Sequence, residues 1–176
     1  MDIINKSRNY AVECHTNVNH YYGQMPYIVH LADTARVGER FVHLIPDATE
    51  KKEAIAACWT HDTIEDARQN YNDVKNATNQ NVAEITYALT EEKGKTRKER
   101  HNSKYFKGIR ETKNATFVKL CDIIANVENA KATDSKLLEM YKKEFPRVYV
   151  HLYEFNYDVG LQLNEMFQYL RHLLEI

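Results

Sequence analysis

Apolar residues recur at helical spacing along nearly the whole chain, and the pattern divides it into successive amphipathic segments. Tyr10, Cys14, Val18 and Tyr21 lie four, four and three apart and predict a first helix ending near Gly23. Pro26 opens a second, with Ile28, Leu31, Ala32 and Ala35 on one stripe, and Pro46 closes it. Asp47 or Thr49 can cap the third, which runs through Ile55, Cys58 and Trp59 into the stretch "HDTIEDA". Residues 67–79 read as a polar linker, and Val82, Ile85 and Leu89 mark another helix. A basic stretch, 93–110, precedes the apolar helix "ATFVKLCDIIANVENA". The tail offers "SKLLEMYKKEF", a break at Pro146 and a long amphipathic segment to Ile176. There is no internal repeat, low-complexity tract or clear linker. The expectation is a single compact all-α domain over residues 1–176.

Composition narrows this reading without changing it. Five glycines and three prolines leave little turn chemistry for a many-stranded sheet. A net charge of −1 predicts neither nucleic-acid binding nor attraction to a membrane, so an anionic ligand needs a local basic patch. Cys14, Cys58 and Cys121 are far apart and sit within helical apolar pattern, which fits reduced packing residues. No stretch approaches a membrane span. The expected location is cytoplasmic, and the oligomeric state stays open.

The polar residues placed against this pattern carry the chemistry. His61, Asp62, Glu65 and Asp66 crowd the end of an apolar helix, where uncompensated charge is costly. His61 and Glu65 are four apart, as are Asp62 and Asp66, so pairs share a face. Solvent, basic side chains or a metal ion could compensate them. Asp122 lies between Cys121 and Ile123 inside "FVKLCDIIANV", a setting that demands a partner. A salt bridge to Lys119 and coordination of a cation are the two options. His30 falls inside another patterned helix, where a lone histidine is more often a satisfied core or edge residue. The remaining histidines show no mutual spacing and read mostly as surface residues.

Taken together, His30, His61, Asp62 and Asp122 form a mixed nitrogen–oxygen donor set from three helices. Such a set suits Mn²⁺ or Fe²⁺, and less distinctively Zn²⁺ or Co²⁺. Glu65 and Asp66, one turn beyond, could contact water on the ion and take its proton, which makes hydrolysis chemically sensible.

These residues resemble a known family. The order H…HD…D is that of HD-domain metal-dependent phosphohydrolases. "MPYIVHLADTARV" resembles the "TPYIxHP" segment of RelA/SpoT hydrolase domains, and "HDTIEDA" their "HDTVEDT". "TEEKGKTRKERHNSKYF" and "FVKLCDIIANVENA" are similar to two further segments of that family, in the same order from about Ala11 to Ala130. With no synthetase domain, the chain looks most like the small single-domain alarmone hydrolases. The resemblance implies a helical HD-domain fold, with His30, His61, Asp62 and Asp122 as Mn²⁺ ligands and Glu65 and Asp66 beside the attacking water. It places Asn126 near the nucleotide sugar and Arg97 and Arg100 on phosphates. The implied reaction removes pyrophosphate from the 3′ position of (p)ppGpp, giving GDP or GTP.

The chain departs from that pattern at two places. Leu31 follows His30 where the family usually has proline, and "NHYYGQM" lacks the basic pair that flanks the nucleotide base. Tyr21 or Tyr22 could stack on a base instead, or one could be core and the other surface. Arg97, Arg100 and Lys104, three and four apart, are expected to form one cationic ridge. Rival readings are a nucleotidase, a deoxynucleotide triphosphohydrolase or an NADPH 2′-phosphatase-like enzyme. A module that senses a nucleotide without turnover is the rival from another class.

Overall fold

The structure is a computed structural model, and it describes residues 2–176. Its architecture is all-helical apart from one two-stranded ribbon. Helix α1 (Ile3–Asn17) is capped by Asp2, whose side chain accepts from the Asn5 amide at 2.9 Å. It stops well before Gly23. Asn19 turns left-handed at φ 51°, and the His20 amide donates back to the His15 carbonyl. The chain then forms strand β1 (Tyr21–Tyr22), antiparallel to β2 (Met25–Pro26), with Tyr21 opposite Pro26 and Tyr22 opposite Met25. Gly23, at φ 63°, supplies the positive torsion that this tight turn requires. Tyr21 therefore belongs to a ribbon and not to the first helix, because a left-handed asparagine ends the helix before the apolar repeat does.

Helix α2 (Ile28–Phe41) follows, and a short 3₁₀ turn leads to α3 (Ala48–Thr60). Asp47, rather than Thr49, caps α3 by accepting from the Thr49 and Glu50 amides at 2.8 and 2.9 Å. Helices α2 and α3 approach closely at Gly38, where a Cβ would lie 2.9 Å from Ile55 Cδ1 and 3.0 Å from Cys58 Sγ. Gly38→Ala is therefore expected to overpack the seam and cost about 1–3 kcal/mol. Urea unfolding of the variant against the parent protein measures it.

A one-turn helix α4 (Thr63–Asp66) is separated from α3 by His61 and Asp62. The segment expected to be a polar linker contains α5 (Tyr71–Ala77), closed by a reciprocal capping box between Asn70 and Asp73. Only Val74 of α5 is fully buried, so no apolar stripe announced it. Helix α6 (Gln80–Leu89) agrees with its apolar spacing. The basic stretch divides into α7 (Arg97–Arg100), capped by Thr96, and α8 (Ser103–Glu111), capped by Asn102. The interruption at His101 and Asn102 breaks the expected ridge: exposed Lys104 lies on the next helix and pairs with Glu92 at 2.9 Å.

Helix α9 (Ala115–Ala132) runs through the middle of the molecule and packs against α2, α3, α6, α8 and α10 (Leu137–Leu152). Phe117, Val118, Leu120, Cys121, Ile124 and Val127 are buried along it, which accounts for its nearly continuous apolar sequence. Pro146 does not break α10. The ring sits on the exposed face, where the Lys142 carbonyl that lacks its amide partner can meet water, while Phe145, Val148 and Leu152 anchor the buried face. Beyond a turn at Glu154–Asn156, the tail forms α11 (Tyr157–Gln162) and α12 (Asn164–Leu174) instead of one long segment. No helix among the described residues is long and apolar enough to cross a membrane.

Candidate metal centre

Three elements bring the donor set together. His30 projects from the first turn of α2, His61 and Asp62 occupy the pause between α3 and α4, and Asp122 lies at mid-helix in α9. The pause is built from threonines. Thr63 Oγ1 donates to the Thr60 carbonyl at 2.8 Å, and the Thr60 and Thr86 hydroxyls share a hydrogen bond at 2.7 Å. His30, His61 and Asp122 are buried, and each offers a ligand atom to the same point.

The donor separations are those of a coordination shell. His30 Nε2 is 3.3 Å from His61 Nε2, 3.4 Å from Asp122 Oδ1 and 3.7 Å from Asp62 Oδ2. His61 Nε2 is 2.9 Å from Asp62 Oδ2 and 3.7 Å from Asp122 Oδ1. An ion with bonds of about 2.1 Å holds adjacent ligands about 3.0 Å apart at right angles and about 3.4 Å apart at tetrahedral angles. His61 Nδ1 donates to the Cys58 carbonyl at 2.9 Å, which turns Nε2 toward the cluster. These residues fit a divalent cation.

Electrostatics favour the same conclusion. Burial disfavours the His61 imidazolium, but the Asp62 and Asp122 carboxylates outweigh it and hold its pKa at about 9. A divalent cation would stand where that proton stands. Asp62 and Asp122 resist burial for the complementary reason, each held below the ordinary carboxylate range by cationic neighbours. The salt bridge to Lys119 exists as well: Lys119 Nζ donates to Asp122 Oδ2 at 2.9 Å, leaving Oδ1 for the histidines. The salt bridge thus occupies Oδ2, while Oδ1 lies 3.4 Å from His30 Nε2 on the side of the histidines.

The donors open onto a cleft of about 200 Å³ whose wall includes Glu65, Asp66, Glu91, Arg97, Asn126 and Tyr141. Burial and the nearby Glu91, Asp62 and Asp66 charges push Glu65 up to about 7, although the Glu91 amide donates to its Oε2 at 3.1 Å. Asp66 is raised by burial and by Asp62. Asn126 donates to Asp122 Oδ1 at 2.6 Å and accepts from Tyr22 at 2.9 Å.

The basic and aromatic residues divide. Arg97 lines the cleft, tethered by Glu144 at 2.8 Å. Arg100 does not line it, and its guanidinium is engaged by Glu91. Glu91 also accepts from His101 at 2.5 Å; burial opposes its charge, but His101 and Arg100 prevail and bring it down to about 2. Tyr21 is 58% exposed and stands away from the cleft, while Tyr22 stacks on the His30 ring with centroids 5.0 Å apart. Tyr22 thus packs against one of the clustered histidines. Two further histidines expected at the surface, His15 and His101, are buried.

Several cleft residues were not singled out from the sequence. Tyr141 lines the cleft from α10 with no motif to mark it, and Glu144, one turn further along the same helix, only tethers Arg97. Tyr27 and Glu91 lie inside the segments "MPYIVHLADTARV" and "TEEKGKTRKERHNSKYF", where the resemblance gives them no role. Lys119, three residues before Asp122, was marked only as its salt-bridge partner.

Comparisons with known proteins bear on the scaffold. No family model matches the chain, and no curated protein matches it significantly. A solved structure of a metazoan ortholog of SpoT, which hydrolyses ppGpp and plays a role in starvation responses, superposes with a TM-score of 0.69. That match covers 96% of this chain and 96% of the other at 19% sequence identity. The fold is an HD-domain, SpoT-like one. With the buried histidine and aspartate cluster it agrees with the all-α expectation.

Proposed function

We propose that this chain is a metal-dependent phosphohydrolase of a phosphorylated nucleotide, and specifically a Mn²⁺-dependent 3′-pyrophosphohydrolase of (p)ppGpp. The observation that carries the reading is the donor set of His30, His61, Asp62 and Asp122 beside two acids whose environments push their pKa values upward. Support for the substrate comes from a shared fold with a ppGpp-hydrolysing protein. When bound, a divalent ion supplies Lewis acidity and a water of lowered pKa.

The chain's own residues do the rest. Glu65, held by the Glu91 amide, and Asp66 face the cleft and accept the proton of the attacking water. The new bond joins water oxygen to the phosphorus on the 3′ oxygen, that oxygen leaves with a proton, and pyrophosphate departs. Lys119 and Arg97 are the cations facing the leaving phosphates. Asn126 stands one turn after Asp122 at the place assigned to the sugar. Arg100 acts through Glu91, which it neutralises.

Glu65→Gln is expected to lower kcat by about 100-fold or more with little change in KM. The pH dependence follows from the raised carboxyl. Its base form is lost as pH falls through the pKa, which is about 7 without an ion and lower beside one. The acid limb of kcat/KM thus lies at or below about pH 7 and is lost in the variant, as a pH–rate profile will show.

A second reading is favoured by the base side of the cleft, where Tyr21 is outside and Tyr22 is engaged by Asn126 and His30. A deoxynucleotide triphosphohydrolase, a nucleotidase or a 2′-phosphatase would use the same centre. Incubation with Mn²⁺ and a nucleotide panel separates them: pyrophosphate from ppGpp supports the first reading, and triphosphate or orthophosphate from other nucleotides replaces it.

A further inference from the structure

Behind the donor set lies an aromatic stack that none of the roles above uses. His20 and Tyr27 stack with centroids 3.7 Å apart and 14° between planes, and His15, 5.2 Å from His20 and 4.7 Å from Tyr27, lies beside His20. The two imidazoles are tied Nδ1 to Nδ1 at 2.9 Å. Backbone bonds fix the stack as well. The His20 amide donates to the His15 carbonyl at 3.0 Å, and the Tyr27 amide donates to the His20 carbonyl at 3.1 Å. His30 and Tyr22 meet the Tyr27 ring edge-on at 5.3 and 6.2 Å. The ring thus has very little freedom to move.

At its tip the Tyr27 hydroxyl donates to Asp62 Oδ2 at 2.5 Å, the same oxygen that lies 2.9 Å from His61 Nε2. We infer that Tyr27 is a positioning residue for the metal centre: its clamped hydroxyl fixes the rotamer of Asp62 and aims Oδ2 at the point where the ion sits.

The need for such a device follows from where Asp62 stands. It lies in a non-helical pause, with a side chain less buried than those of His30, His61 and Asp122, and no backbone amide caps it. A carboxylate so placed has rotamers that point into the open cleft. Tyr27 removes that freedom before the ion arrives, and outer hydrogen bonds of this kind set how tightly a ligand holds its metal. His15 is buried, and burial brings its pKa down to about 4.

The inference rests on the metal-site part of the proposed function and not on any substrate. Tyr27→Phe keeps the ring and the stack and deletes only the hydroxyl. Mn²⁺ binding, followed by the electron paramagnetic resonance signal of the free ion, is expected to weaken by about 10- to 100-fold. The melting temperature of the metal-free variant should stay close to that of the parent, a combination that a merely structural role would not produce. His20→Ala, which loosens the stack but keeps the hydroxyl, should give a smaller loss. Parental Mn²⁺ affinity in Tyr27→Phe overturns the inference and leaves the metal site standing, whereas no Mn²⁺ binding by the parent protein overturns both. Should Tyr27→Phe fail to fold, the parent decides. Its Tyr27 hydroxyl proton resonance must shift with one equivalent of Zn²⁺, and a resonance indifferent to the ion refutes the assignment.

Discussion

Asp62→Ala is expected to abolish stable metal binding and to reduce hydrolysis by on the order of a thousandfold or more, with the helical content unchanged. Asp62 Oδ2 lies within 3.7 Å of both histidine nitrogens, and its loss leaves two imidazoles and one carboxylate already shared with Lys119. Three donors hold a hard divalent ion poorly, and an ion contributes several kcal/mol of transition-state stabilisation, about 1.4 kcal/mol per factor of ten. The fold should survive because Asp62 stands in the pause between α3 and α4 and packs no core side chain. Metal content of the purified variant, its turnover and its circular dichroism spectrum together check this. Unchanged nucleotide affinity with no turnover in either form would favour a nucleotide-sensing module.

The largest effect on stability is expected at Asp122. Lys119 places its ammonium in a nearly dry setting, 2.9 Å from Asp122 Oδ2 and over the Tyr105 ring at 5.8 Å. Asp122→Ala deprives that charge of its carboxylate, and removing one partner of a buried pair costs about 3–5 kcal/mol. The double variant Asp122→Asn/Lys119→Met removes both charges and should recover most of the loss while remaining unable to bind metal. The pH dependence has a definite sign. Burial opposes the Asp122 charge, but Lys119 and the histidines hold its pKa well below the ordinary range. Its contribution is therefore fully present above the unfolded carboxylate value near 4 and fades as the medium is acidified. Lys119, raised by Asp122 against burial, contributes below the unfolded lysine value and fades only in strong alkali. Urea unfolding of the single and double variants at neutral pH, and of the parent at falling pH, measures both effects.

What the sequence made legible and what it hid follow from physical causes. Asp122 could be recognised because α9 is buried on almost every side, so one charged residue among Cys121, Ile123 and Ile124 had to be compensated. The pair His61–Asp62 was readable because it ends an apolar helix. The ribbon of Tyr21 and Tyr22 was not, because helical spacing continued past the point where Asn19 turns the backbone. Helix α5 was missed because its stability comes from the Asn70 and Asp73 capping box rather than from an apolar stripe. Proline chemistry alone predicts a break at Pro146, because the sequence does not reveal that the ring lies on an exposed face of α10. Arg100 matched a basic pattern, yet its partner, Glu91, lies before the turn into α7, and an ion pair of that kind leaves no period in a sequence.

One measurement bears most directly on the centre itself. Crystals grown with Mn²⁺ should show a single strong anomalous peak at bonding distance, about 2.0–2.3 Å, from His30, His61, Asp62 and Asp122. A peak elsewhere, or none at that point with the four side chains ordered, would contradict the account.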